Sequence, residues 1–403
     1  MPNPATITLG RLVQAAARLR GGGTALPGLV VEKLEPDFAV RILGELPQGV
    51  VLVSGTNGKT TTVKVVTELL EAAGLRVFTN NTGSNFMRGV ISSLLQKVSL
   101  TGRLNADIAV LELDEAHAVN FVAAIKPRYS LLLNVLPDQL DRFGSTDYTA
   151  ELLAAVARNT TEVVVLNRED ELLAQIPEKE TLIAEVRWFS EENSARQSDT
   201  ILKSFSGNTA CFEIGGVCYE VPLALKGRYN ALNATAALAL VHAIVPETPV
   251  EVLTEALSQV HSAFGRGESI NVNGTPLELI LVKNPDGFMQ ALESFDSEDC
   301  VTMITVNDDY GDGRDVGWFF DVDFSSLRQS GVAVLSGSRA YDMALRLEYD
   351  AVPLQAVDTD VPTALKTFLT DSPEKPHRIF CSYTTMIALR KLLGTKAEME
   401  RVV

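Results

Sequence analysis

Six consecutive residues, Gly55-Thr56-Asn57-Gly58-Lys59-Thr60, have the types and spacing of a phosphate-binding turn. Glycines let backbone N–H groups approach phosphate oxygens, and the N-terminus of a following helix adds partial positive charge. In such a turn the Lys59 ammonium reaches the β- and γ-phosphates, and the Thr60 hydroxyl holds Mg²⁺. Gly55, Thr56, Asn57, Gly58, Lys59, Thr60 and Thr61 are therefore the expected nucleotide-binding set, with ATP and Mg²⁺ as cofactors. The turn is the shortened GxxGKT kind, because Val53 stands where the longer GxxxxGK[ST] form has its first glycine.

A second chemical signal is Glu112, at the end of the apolar run Ile108–Leu113. A carboxylate in an apolar strand is costly to bury unless it is paired or bound to a metal. Beside a phosphate turn Mg²⁺ is the natural partner, so Glu112 joins Thr60 as an expected metal ligand and Lys59 as an expected catalytic group. Other polar residues follow apolar runs: Asp114 and Glu115, then Asn134 and Pro137–Arg142, then Asn167–Asp170. The last of these reads as a solvated loop. Asn230 and Asn233 open an Ala-rich helix; they either cap and pack it or contact the nucleotide base. Arg266 is also expected at the nucleotide. Further on, Asp308, Asp309, Asp312, Asp315, Asp321 and Asp323 crowd a loop and its exit. The calcium template DxDxDG fails there, so the loop is expected to border a catalytic cleft.

These residues must be positioned by regular elements. Val50–Val53 is a buried strand, and Val63, Val66, Leu69, Leu70 and Ala73 fall at helical spacing before Gly74. Val77–Thr79, Ile108–Leu113, Leu131–Val135 and Val163–Leu166 read as further strands. Near-continuous apolar runs are those of parallel strands covered on both faces. The alternation predicts a doubly wound α/β domain whose ligands gather at the carboxyl ends of its strands. Before it, Leu9–Arg20 reads as a helix broken by Gly21–Gly23. After it, Trp188–Thr209 reads as an irregular surface excursion, Cys211–Val221 as a hairpin about Gly215-Gly216, and Ala231–Val245 as a helix. Phe264–Glu268 reads as a hinge. Beyond it Leu277–Val282, Val301–Val306, Val332–Leu335 and Ile379–Cys381 read as strands, with a helix at Arg339–Leu347. The expected organisation is a lead-in at 1–45, a central domain at 46–262 and a C-terminal α/β (Rossmann-like) domain at 263–403.

Composition narrows the classes. The chain of 403 residues is too long for one ordinary core. A net charge of −16 argues against nucleic acid and against broad docking on anionic lipid. No apolar run reaches membrane-helix length, and no signal-peptide pattern opens the chain, so a cytoplasmic location is expected. Cys211, Cys218, Cys300 and Cys381 form no CxxC pair, so a zinc site is not expected. None sits in a GxCxG-like elbow, so the chain is not expected to hydrolyse glutamine itself.

The SGTNGKTTT stretch resembles the ATP loop of the Mur ligases and folylpolyglutamate synthases. Thr82-Gly83-Ser84-Asn85, the strand with Glu112, Asn134 with Asp138–Arg142, and Gly227–Asn233 follow in that family's order. Asn80–Gly89 (NNTGSNFMRG) and the C-terminal stretches KNPDGFMQAL, NDDYGDGRDVGWFFDVDF and SGSRAYDMALRL resemble the MurT family, the ligase-like subunits of lipid II isoglutaminyl synthase. The likeness spans nearly the whole chain. It implies a Mur ligase-like P-loop central domain with a parallel sheet. It also implies ATP-dependent amidation of the D-glutamate α-carboxylate of the peptidoglycan stem peptide, through an acyl phosphate, at the inner membrane face. Ammonia would come from a GatD-type glutaminase subunit, whose Cys and His are completed by an acid of this chain. That acid maps to Asp315, with Asp312 as second choice. Two departures stand out. MurT chains carry a four-cysteine zinc ribbon that is reduced here to Cys211 and Cys218. Gln139 stands where the amino-acid-adding ligases usually have His.

Two other readings compete. An amino-acid-adding Mur or folylpolyglutamate-type ligase would share the ATP chemistry but show its own C-terminal site, which residues 264–403 do not display. A non-enzymatic ATP-binding regulatory subunit would not need Glu112 beside an intact Lys59 and Thr60.

Overall fold

The computed structural model describes residues 2–19, 25–80, 86–137, 145–192, 197–261, 266–272, 274–295, 299–309, 311–313, 317–370 and 374–394. The chain divides into two compact units. One comprises Met1–Leu136, Phe143–Ala224 and Asn230–Val260; the other comprises Pro137–Arg142, Leu225–Tyr229 and His261–Val403.

The first unit is built on a nine-stranded sheet. Its strands are Val50–Ser54 (β1), Val77–Thr79 (β2), Ile108–Glu112 (β3), Tyr129–Leu132 (β4), Val163–Asn167 (β5), Glu185–Glu191 (β6), Thr200–Ser206 (β7), Thr209–Ile214 (β8) and Val217–Pro222 (β9). The order is β2-β3-β1-β4-β5-β6-β7-β8-β9. Pairing is parallel from β2 to β7 and antiparallel through β8 and β9. Every residue of β1 is buried, as a central strand covered on both faces requires. Each of its valine and leucine side chains contributes about 1.5–3 kcal/mol by leaving water. Helices Pro4–Leu19 and Ala25–Leu34 pack by Met87–Lys97, and a Cβ on Gly28 would collide with the Arg88 backbone carbonyl.

Several expectations need correction in this unit. Trp188–Thr209 is not an irregular excursion, because it holds the end of β6 and all of β7. Phe189, Ser190 and Leu202 are buried while Trp188, Ile201 and Lys203 are partly solvated, so these strands carry mixed polarity rather than an apolar run. The fourth strand ends at Leu132, earlier than Val135, because Leu133–Leu136 turns to bond the phosphate-type loop. The Ala-rich helix starts at Arg228 and ends at Ile244.

The second unit holds a six-stranded sheet of Arg266–Val272 (β10), Thr275–Leu281 (β11), Val301–Thr305 (β12), Val332–Ser336 (β13), Leu354–Val357 (β14) and His377–Cys381 (β15). Its order is β10-β11-β15-β12-β13-β14, parallel except for the β10–β11 hairpin. Cores lie on both faces, one around Phe288, Phe324 and Phe380, the other around Phe368, Met386 and Leu389. The sequence patterning misses β10 and β14. The expected hinge Phe264–Glu268 has Arg266–Glu268 in β10, while residues 262–265 lie outside the described residues.

Candidate active site

The site grows from the end of β1. The chain leaves Ser54, turns through Gly55–Gly58 and enters the helix Lys59–Ala72. Gly55 has φ of +130° and Gly58 of +87°, values that L side chains rarely adopt. A Cβ on Gly55 would sit 3.0 Å from the Asn134 amide nitrogen, and one on Gly58 would strike the Asn233 side-chain amide. The helix opens on Gly58 with no side-chain cap, so its first turn and positive dipole end face the turn.

Asn134 holds this loop from the next strand. Its Oδ1 accepts from the Asn57 N–H at 2.8 Å, its Nδ2 donates to the Asn57 carbonyl at 3.1 Å, and its carbonyl accepts from the Thr56 N–H at 3.0 Å. The Thr56 hydroxyl accepts from Leu136 N at 3.0 Å. On the other side, the Ser54 hydroxyl donates to the Leu113 carbonyl at 2.9 Å. Both flanks are thus tied to strand ends by bonds that fix the backbone and leave the helix N-terminus alone.

Glu112 is brought to the loop by register, because β3 pairs Glu112 with Val53 of β1. Asn80 clamps the Glu112 backbone, accepting from its N–H and donating to its carbonyl, both at 2.8 Å. The carboxylate Oε1 accepts from the Thr60 hydroxyl at 3.0 Å. Lys59 Nζ donates to the Gly55 carbonyl at 2.5 Å and the Thr56 carbonyl at 3.2 Å, and lies 3.9 Å from Glu115 Oε2. Lys59, Thr60 and Glu112 therefore meet at the carboxyl ends of β1 and β3. Thr61, the next residue of the helix, is buried.

Asn230 and Asn233 are buried in the first turns of the Arg228–Ile244 helix, 3.4 Å apart at Oδ1 and Nδ2, with Asn233 against Gly58. Asn167–Asp170 is not a solvated loop. Asn167 Nδ2 donates to the Leu133 carbonyl at 3.1 Å, and Asp170 accepts from Val135 N at 2.6 Å and from Leu172 and Leu173 N. Burial raises the Asp170 carboxyl pKa, opposed by those three backbone donors. Arg266 opens β10 in the second unit, and its side chain is outside the described part. Asp315, Asp138–Arg142 and residues 81–85 also lie outside the described residues.

In the second unit the described acids mostly hold structure. Asp312 accepts from the Thr384 N–H at 2.7 Å and from the Thr384 hydroxyl. Asp308 accepts from the Ser338 hydroxyl at 2.9 Å and pairs with Arg339 at 3.2 Å. Asp323 accepts from Ser325 N, which lowers its pKa. Cys381 is fully buried, and burial raises its pKa; burial pushes Cys300 up to about 11. Burial also raises Cys211, which interacts with Cys218 across the β8–β9 hairpin.

Residue patterning did not single out Asn80, nor the pairing of Glu115 with Lys59. A signal existed for each. Asn80 directly follows a short strand, and Glu115 lies in the first turn of the helix that follows β3.

Residues 53–241 match the model of the Mur ligase middle domain, and residues 281–386 match that of the MurT ligase C-terminal domain. The chain is 27% identical to the Streptococcus pneumoniae (strain ATCC BAA-255 / R6) lipid II isoglutaminyl synthase (glutamine-hydrolyzing) subunit MurT, over 93% of each chain. Among solved structures, MurF from Acinetobacter baumannii superposes with a TM-score of 0.72 at 20% identity, covering 92% of this chain and 80% of that one. The Thermotoga maritima MurF ligase, solved in complex with ADP, gives 0.71 at 19% identity, covering 91% and 84%. The chain carries the middle domain of the Mur ligases and the C-terminal domain of the MurT type.

Proposed function

We propose that this chain is the ATP-dependent ligase subunit of a glutamine-fed amidating enzyme. Its substrate is the D-glutamate α-carboxylate in the stem peptide of lipid II, converted to D-isoglutamine. The observation that carries the phosphoryl-transfer half is the Thr60–Glu112 pair beside Lys59, at an uncapped helix N-terminus. The identity to a curated MurT subunit over 93% of both chains supports the choice of substrate.

The residues fit Mg²⁺: two oxygen donors 3.0 Å apart, one of them a carboxylate, suit an ion that keeps waters and phosphate oxygens. When bound, the metal would neutralise charge on the transferring phosphoryl. Lys59 and the first turn of its helix grip the β- and γ-phosphates. Asn134 and Asn80 keep the loop and the acid from shifting. The substrate carboxylate attacks the γ-phosphorus, the bond to the β-bridging oxygen breaks, and ADP leaves. A carboxylate is a poor electrophile, and the resulting acyl phosphate is a good one. Ammonia then forms the C–N bond, inorganic phosphate departs, and the nitrogen loses a proton.

Ammonia is supplied by a GatD-type glutaminase subunit; burial raises the Cys300 and Cys381 pKa values, the opposite of what an activated glutaminase thiol needs. Asp315 is proposed to complete the partner's Cys and His. Asp312 is the weaker choice, because its carboxylate is committed to Thr384. Arg266, Asn230 and Asn233 are retained as proposed nucleotide contacts, and the 1–45, 46–262 and 263–403 domains as the proposed division. Among the described residues no helix is long and apolar enough to cross a membrane. Action at the inner membrane face, from the cytoplasm, is part of the proposal.

The match of residues 281–386 supports amidation over amino-acid addition. The test supplies lipid II, ATP and ammonium to the isolated chain and weighs the product. A loss equal to the exchange of hydroxyl for amine supports the proposal. A gained amino-acid residue replaces it with the ligase reading.

A further inference from the structure

Lys59 and Glu115 form a buried pair that the phosphoryl-transfer scheme does not use. The side chains are 11% and 7% exposed, and Nζ lies 3.9 Å from Oε2. Nζ also donates to two uncharged carbonyls, those of Gly55 and Thr56. An ammonium this far from water needs an anion, and Glu115 is the carboxylate within reach. Glu115 has a second source of support: it occupies the first turn of the helix Glu115–Ala124, where the positive end of the dipole favours a carboxylate.

The anionic partner of Lys59 is therefore an acid from the neighbouring strand–helix junction, at the position where β- and γ-phosphates would draw the same ammonium. We infer that Glu115 is a positioning residue for Lys59, holding its ammonium back in the empty cradle and yielding it to the phosphates of a nucleotide. This inference rests on the proposed reading of the turn as a nucleotide cradle. Nucleotide affinity is then the outcome of an exchange, in which one ion pair is lost as another forms. Removing the competing carboxylate favours the phosphates.

The test is calorimetric titration of the full chain with ADP and with a non-hydrolysable ATP analogue, magnesium present. Glu115→Gln keeps the shape and loses the charge, and is expected to tighten both nucleotides about fivefold, within the coupling range of contacting charged residues. In a Lys59→Met background, read at millimolar nucleotide, the same change is expected to shift affinity less than about twofold. Unchanged or weaker binding by Glu115→Gln overturns the inference. Equal tightening in both backgrounds also overturns it, because Glu115 would then repel phosphate directly. If Glu115→Gln does not fold, Glu115→Asp retracts the carboxylate by one methylene and is expected to tighten binding about twofold, with no tightening counting against the idea. A native chain that binds neither nucleotide would defeat the cradle reading itself. Native binding with an indifferent variant defeats only the role of Glu115.

Discussion

The two mainly parallel sheets, each within its own unit, differ in what occupies the helix starts at the carboxyl ends of their strands. At the first, the helix Lys59–Ala72 begins on Gly58 with no side-chain cap, and Asn134 and Asn80 bond to the backbone of Asn57 and Glu112. At the second, the helix Tyr383–Leu393 has its Thr384 N–H taken by the Asp312 carboxylate. Asp308 is likewise engaged with Ser338 and Arg339. An uncapped helix N-terminus with a lysine beside it attracts anions, whereas one that carries its own carboxylate does not. Having the same kind of sheet edge is thus not enough to make a phosphate site. The deciding feature is whether the chain has already filled its own helix terminus.

Substitutions can test that contrast, the largest expected effect first. Lys59→Ala should lower ATP- and ammonium-driven amidation at least about a thousandfold, as loss of a charge clamp on a phosphoryl group does. Turnover close to native would refute the assignment of the first edge. Glu112→Gln should cost about a hundredfold in turnover and raise the magnesium needed for half-maximal rate; an unchanged magnesium requirement would remove Glu112 from the metal. Asp315→Asn should cripple glutamine-driven amidation of the assembled complex and largely spare the ammonium-driven reaction. Equal loss with both nitrogen sources would count against its proposed role.

Asp312→Ala should act on stability instead. Losing a carboxylate that binds a helix N-terminus costs about 1–2 kcal/mol, read as a lower melting temperature with ammonium-driven turnover retained. A selective loss of ammonium-driven turnover at unchanged melting temperature would move Asp312 from the scaffold to the chemistry. The smallest expectation concerns the hairpin at the far end of the first sheet. Its Cys211 and Cys218 should carry no stoichiometric zinc, and elemental analysis finding one zinc per chain would reverse that reading.

Much of the first edge is legible along the chain because its chemistry is local. A buried strand, two glycines at strained φ, a lysine and a threonine lie within a dozen residues, and short-range sterics force the turn. The central parallel strands announce themselves as apolar runs, since both of their faces are buried. The resemblance carried by longer motifs also reaches the family without coordinates.

What stays hidden in the linear order depends on contacts between distant residues. Asn134 meets Asn57 from 77 positions away, Asn80 meets Glu112 from 32, and Thr384 meets Asp312 from 72. No window of sequence contains both partners of such a bond. Half-solvated strands such as β7 and β14 escape for a related reason: their polarity reflects which neighbours cover them. Residue types therefore state which groups could bind a phosphate, and packing assigns each acid either to a ligand or to the backbone of its own chain.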